Sequence, residues 1–153
     1  MTATPTAGTS PATSQASAPP APGGPSGADV LTVVQRTYPA EAGGSGGCAL
    51  SSCPFTPRLA QQIAHLRTET PSPTHQGDVC NYDLLTGNQT GFATPVNPTV
   101  APAGATTTAS LPAVDPTVTL VVVDSGGQAL VDDILYPMNG DRSIYTLSCT
   151  GSL

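Results

Sequence analysis

The sequence predicts one α+β domain, helices packed on a curved antiparallel sheet, carried on a tail that does not fold. Three observations predict it. Residues 1–26 hold no large apolar side chain beyond Met1, whereas two later segments repeat apolar residues at helical spacing. The last third of the chain then carries β-branched runs joined by Asp/Gly turn residues. At 153 residues there is room for one such domain and one tail.

The tail, residues 1–26, is Thr, Ala, Pro and Ser with a few glycines. It buries too little surface to offset the entropy of ordering it, so a disordered tether is expected. Its prolines stiffen that tether into an extended spacer. Residues 27–150 form the α+β domain. A first helix is expected to begin near Ser26, with Asp29 three residues on in a capping arrangement. Val30, Val33, Val34 and Tyr38 give it one apolar stripe. Pro39 and the run Gly43-Gly44-Ser45-Gly46-Gly47 end it. In the second helix Thr56 caps and Pro57 takes the first helical position. Leu59, Ile63 and Leu66 form its buried face, with Ala60 and Ala64 beside them, and Pro71 and Pro73 prevent continuation.

Strands are expected beyond Cys80. Gln89 to Asn97 is a weak candidate interrupted by Pro95, and Thr106 to Val114 carries Pro112, which suggests an edge or a bulge. The strongest strand is Thr117 to Asp124, running through Asp124-Ser125-Gly126-Gly127 into Gln128 to Tyr136 as an antiparallel hairpin. Residues 142–148 suit either a short helix or a last strand.

Composition narrows the function classes. Four arginines and no lysine stand against ten carboxylates, for a net charge of −6. Nucleic acid is thereby an unfavourable partner, because phosphate binding needs several cations on one face. The negative charge also disfavours anionic membrane surfaces. No run approaches the ~20 apolar residues of a spanning helix, and Met1 leads straight into polar sequence without a signal-peptide pattern.

Cys48, Cys53, Cys80 and Cys149 make an even set confined to the folded part. That suits two disulfides in an oxidising compartment, with three pairings open. The expected location is therefore extracellular or cell-envelope, with an export signal upstream of the residues given. A metal set of these cysteines with His65 and His75 lacks the paired spacing of a structural zinc site. No metal and no cofactor is expected. Gly43 to Gly47 satisfies G-x-S-x-G but has no strand before it and no helix directly after it, so it is a loop. Asn88-Gln89-Thr90 is a glycosylation sequon.

Three segments, CPFTPRLAQQIAHL (Cys53 to Leu66), CNYDLLTGNQ (Cys80 to Gln89) and VTLVVVDSGGQALVDDILYP (Val118 to Pro137), carry a likeness. They resemble a bacterial family of unknown function in the nuclear transport factor two-like superfamily. The resemblance covers most of residues 28–148. It implies a cone of helices packed in a strongly bent sheet, a pocket inside that cone, and an exported, lipoprotein-like chain. The superfamily includes isomerases, dehydratases and plain binding modules, so it implies no single activity.

Asp132 and Asp133 are the candidate general bases, in the role an Asp plays in some enzymes of that superfamily. Adjacent strand residues point to opposite faces, so one of the two leans into the cone unless a bulge intervenes. The competing structural role pairs a carboxylate with Arg58 or Arg67. Tyr82, Phe92 and Tyr136 are candidate walls of a ligand pocket, and with Tyr38, Phe55 and Tyr145 they also suffice to fill a core. The expected function is a non-catalytic envelope or extracellular module binding a small ligand or a protein. An isomerase- or hydrolase-type pocket using Asp132 or Asp133 is the second reading. A structural module with a filled cone is the third.

Overall fold

The computed structural model describes residues 23–39, 47–69, 83–87, 98–111, 118–137 and 142–149. The tail as far as residue 22, the candidate strand Gln89 to Asn97, the G-x-S-x-G loop up to Gly46, the sequon, His75, Cys80, Tyr82 and Phe92 lie outside them.

Helix α1 spans Gly27–Thr37 and helix α2 spans Pro57–Thr68. Both start as their sequences dictate. The Ser26 hydroxyl accepts the amide of Asp29 and donates to the Asp29 carboxylate, and the Thr56 hydroxyl accepts the amide of Leu59. The expected stripes are buried: Val30, Val33, Val34 and Tyr38 on α1, Leu59, Ile63 and Leu66 on α2. Ala60 is half-buried and Ala64 is exposed, since it lies on the far side of the stripe.

Five strands follow, β1 (Thr99–Ala103), β2 (Thr106–Leu111), β3 (Val118–Asp124), β4 (Ala129–Tyr136) and β5 (Arg142–Ser143). They form one antiparallel sheet in chain order. The arrangement is α+β: both helices contact the sheet, α1 on β1, β2 and β4 and α2 on β4. Strand β1 was not foreseen. Strand β2 is paired on both sides as far as Leu111, and Pro112, where an edge or a bulge is expected, lies outside the described residues. Residues 142–146 combine both alternatives, a two-residue strand and then a 3-10 turn at Ile144–Thr146.

Alternation sets the core. Thr107, Ala109 and Leu111 of β2, Val118, Leu120 and Val122 of β3, and Val131, Ile134 and Tyr136 of β4 are buried against the helices. Their neighbours Thr108, Ser110, Thr119, Val121, Val123, Leu130 and Leu135 face away and stay half-exposed. The β3–β4 hairpin closes through Gly126 and Gly127, with φ of 65° and 81°. Two successive positive φ values define the primed turn whose twist matches a right-handed strand pair, and glycine adopts them without strain. Gly24 is needed for a different reason. A Cβ there would lie 2.4 Å from the backbone of Thr106, so the segment before α1 passes directly over the start of β2. There the Gly24 amide donates to Gly104 and the Thr107 hydroxyl donates to the Pro25 carbonyl.

Candidate functional site

The two candidate carboxylates sit where β4 departs from regular pairing. Val122 pairs with Val131 and Val121 with Asp133, which leaves Asp132 as an extra residue on the β4 side. This is a β-bulge. Its effect on direction can be read from burial: Val131 is buried, the next buried positions are Ile134 and Tyr136, and Asp132 and Asp133 between them are only half-buried. Without the extra residue one carboxylate would enter the core. With it, neither does.

The bulge also opens a gap along the outer side of β4. Above it, Pro54 to Thr56 dock in a parallel bridge, the Val131 amide donating to Pro54 and the Thr56 amide to Val131. Below it, β5 pairs with Leu135 and Tyr136. The carboxylates face this gap, and every polar group around it is engaged. Thr56 donates its hydroxyl to one oxygen of Asp132 at 2.8 Å, and Arg58 pairs with the other. The Arg58 guanidinium lies 4.2 Å from the Tyr145 ring centroid, and the Tyr145 hydroxyl donates to the Asp132 carbonyl at 2.8 Å. Asp133 accepts from the Ile134 amide at 2.7 Å, and the Ser143 hydroxyl lies 2.7 and 2.9 Å from its two oxygens. The bond to Asp132 holds the Arg58 guanidinium above its usual range, and partial burial raises the Tyr145 hydroxyl.

These contacts join four pieces of chain: the start of α2, the β4 bulge, β5 and the 3-10 turn. Gln62 adds a bond from α2 to the Ile144 carbonyl at 3.2 Å. Of the two structural partners considered from sequence, Arg58 is the one that pairs. Ser143 and Tyr145 were not anticipated, and nothing in their local sequence marks them, because their role depends on the bulge. Chemically the arrangement is a clamp. Each oxygen of both carboxylates receives a hydrogen bond, one of them from a permanently charged guanidinium.

Tyr136 lies inside the core, at 1% exposure. Its hydroxyl donates to the Leu84 carbonyl, and the Tyr38 hydroxyl donates to the next carbonyl, Leu85, at 2.6 Å. Residues Asp83 to Gly87 form a tight turn, with the Leu85 amide bound to the Asp83 carboxylate at 2.7 Å. Leu84, Leu85 and Thr86 are all buried. The turn therefore plugs the space beside α1 and the end of β4. Burial pushes both phenols above the ordinary tyrosine range, that of Tyr136 well above it, and the Asp83 charge adds to both shifts. No buried polar side-chain atom among the described residues lacks a hydrogen-bond partner.

Searches against family models, curated proteins and solved structures find no match to this chain. What the site does must be argued from its own geometry. Cys48 and Cys53 form a disulfide, and Cys149 is disulfide-bonded as well. Glu69, just after α2, accepts the Cys149 amide at 2.6 Å and pairs with His65 at 3.2 Å, tying the chain's last described residue to a helix end. Among the described residues no group of His, Cys, Asp and Glu could hold a metal ion, and no helix is long and apolar enough to cross a membrane.

Proposed function

We propose that this chain is a non-catalytic, disulfide-bonded structural or interaction module of the cell envelope or extracellular space. One observation carries the reading: among the described residues, the helix-facing side of the sheet is packed with the chain's own side chains. Leu59, Ile63, Leu85, Leu120, Ile134 and Tyr136 meet there, none more than 1% exposed. An enzyme of the expected kind needs an unpaired carboxylate aimed into an apolar cavity. Asp132 instead clamps the start of α2 to the sheet through Thr56 and Arg58, and Asp133 ties β4 to Ser143. Of the three candidate pocket walls, Tyr136 is committed to the Leu84 carbonyl, and Tyr82 and Phe92 lie outside the described residues.

The disulfides favour an oxidising compartment, and the Thr/Ala/Pro/Ser-rich tail suits a spacer that holds the domain away from an anchor. The likeness to nuclear transport factor two-like proteins remains part of this proposal. Two helices on one face of an antiparallel sheet are what that likeness leads one to expect.

Native mass spectrometry combined with thermal shift against a diverse small-molecule set tests the reading. The expected result is no compound that raises Tm by more than about a degree. A compound that stabilises by several degrees, with NMR shifts centred on Leu85 and Tyr136, would overturn it, because binding to the native state raises stability in proportion to RT ln(1 + [L]/Kd). Quantitative thiol alkylation of the natively isolated protein tests the compartment, and labelled Cys48 or Cys53 would refute that part alone.

A further inference from the structure

Among the described residues strand β1 is the terminal strand of the sheet, and its burial is low: Thr99, Ala101, Pro102 and Ala103 are exposed and Val100 is half-buried. An exposed edge strand presents unpaired amides and carbonyls and is a template for a strand from another molecule. The usual deterrent is a charged side chain. Here β1 reads Thr-Val-Ala-Pro-Ala, with no charge, and the whole chain has no lysine.

The register identifies which backbone groups are open. The two-residue turn Gly104–Ala105 makes Ala103 and Thr106 a hydrogen-bonding pair, and bonding and non-bonding pairs then alternate along the hairpin. Ala101 and Thr99 thus bond inward to β2, while Val100 and Pro102 turn their backbone outward. An independent count starts from the β3–β4 turn, where Ser125 and Gln128 exchange both backbone bonds, and runs through β3 and β2 to the same assignment. Of the two outward positions, Pro102 has no N–H. Val100 therefore offers the strand's single outward amide, and Pro98 stands two residues before it with no amide either.

We propose that Pro102, backed by Pro98, guards this edge against pairing with a second copy of the chain. An antiparallel partner facing β1 would satisfy both bonds only opposite Val100, and opposite Pro102 its own carbonyl would be left without a donor. The opposite side of the sheet needs no such device, since Pro54 to Thr56 and β5 already occupy β4. This inference is independent of the function proposed above.

Sedimentation velocity over a concentration series, with hydrogen exchange at the Val100 amide, tests it. The native domain is expected to stay monomeric, with fast exchange at Val100 at every concentration. Pro98→Thr/Pro102→Val restores outward donors and is expected to tighten self-association by roughly tenfold or more, from about one net hydrogen bond per restored amide and its symmetry mate. Exchange at Val100 should then slow as concentration rises. Adding Val100→Pro to that variant removes the central amide and should return it to the monomer. Unchanged sedimentation of the folded double variant would overturn the proposal, as would association that persists with Val100→Pro. Should the variants not fold, the native protein still decides: concentration-dependent protection of its Val100 amide would refute a guarded edge, and continued fast exchange would uphold it.

Discussion

Raising the pH above the tyrosine range should unfold this domain, and Tyr38 and Tyr136 should be the reason. Both phenols are buried, both donate to carbonyls of the Asp83–Gly87 turn, and both have a folded pKa raised above the free value of 10.0. An acid whose folded pKa is raised keeps its proton in the native state while the unfolded chain releases it. Stability from these groups is therefore complete below about pH 10 and declines as pH rises further, by about 1.4 kcal/mol per pH unit for each group. With the phenols still protonated in the native state at about pH 11, each contributes a loss of RT ln(1 + 10), or ~1.4 kcal/mol, so the pair removes roughly 3 kcal/mol. Against a total of order 5–15 kcal/mol that is a large fraction.

The assay is urea unfolding by far-UV circular dichroism at steps from about pH 8 to about pH 11, paired with tyrosinate absorbance. Two of the four tyrosines should remain un-ionised until the protein unfolds. Tyr136→Phe should halve the alkaline slope, at a separate neutral-pH cost of about 1–3 kcal/mol for the unpaired Leu84 carbonyl. A native stability that is flat between pH 9 and 11 would refute the burial argument. So would a Tyr136→Phe variant with the native slope.

Asp132→Ala should destabilise by ~1–3 kcal/mol in urea unfolding, since it strips Thr56 and Arg58 of their common acceptor; in a double-mutant cycle with Arg58→Ala the two effects should be less than additive. Leu85→Ala should lower stability by about 2–5 kcal/mol by opening a cavity under Tyr38, and a loss below 1 kcal/mol would mean that the turn does not plug the core. Cys48 and Cys53 are five residues apart, so replacing both by Ser should cost about 2 kcal/mol on the loop-entropy estimate. Mass mapping without reduction should find no free thiol, with Cys149 joined to Cys80, the one cysteine the sequence leaves for it.

Both helices were legible because each carries a complete local signal: a hydroxyl cap, a single apolar stripe and a proline or glycine stop. The β3–β4 hairpin was legible for the same reason, as the turn chemistry of Asp124 to Gly127 sits between two β-branched runs. Strand β1 was not, because Thr-Val-Ala-Pro-Ala has no alternation to read: its register comes wholly from β2. The site was half legible. Asp132 and Asp133 could be chosen as unusual in a strand, and a bulge could be named as the alternative. The bulge itself depends on how Pro54 to Thr56 dock at Val131, 76 residues along the chain from Thr56 to Asp132. No local pattern reports a contact at that distance. The clamp formed by Arg58, Ser143 and Tyr145 was hidden for the same reason.

That docking has a kinetic meaning. The β3–β4 hairpin closes over four residues and forms from local contacts, whereas α2 meets its platform only across most of the domain's length. Loop closure of this size must be completed before the contacts it brings can stabilise anything. On a ribosome the two helices emerge first; α1 can pack on β1 and β2 once these are made, but α2 has nothing to dock on until Val131 has followed. The docking of α2 thus runs backwards relative to synthesis, since its platform is a strand near the C-terminal end.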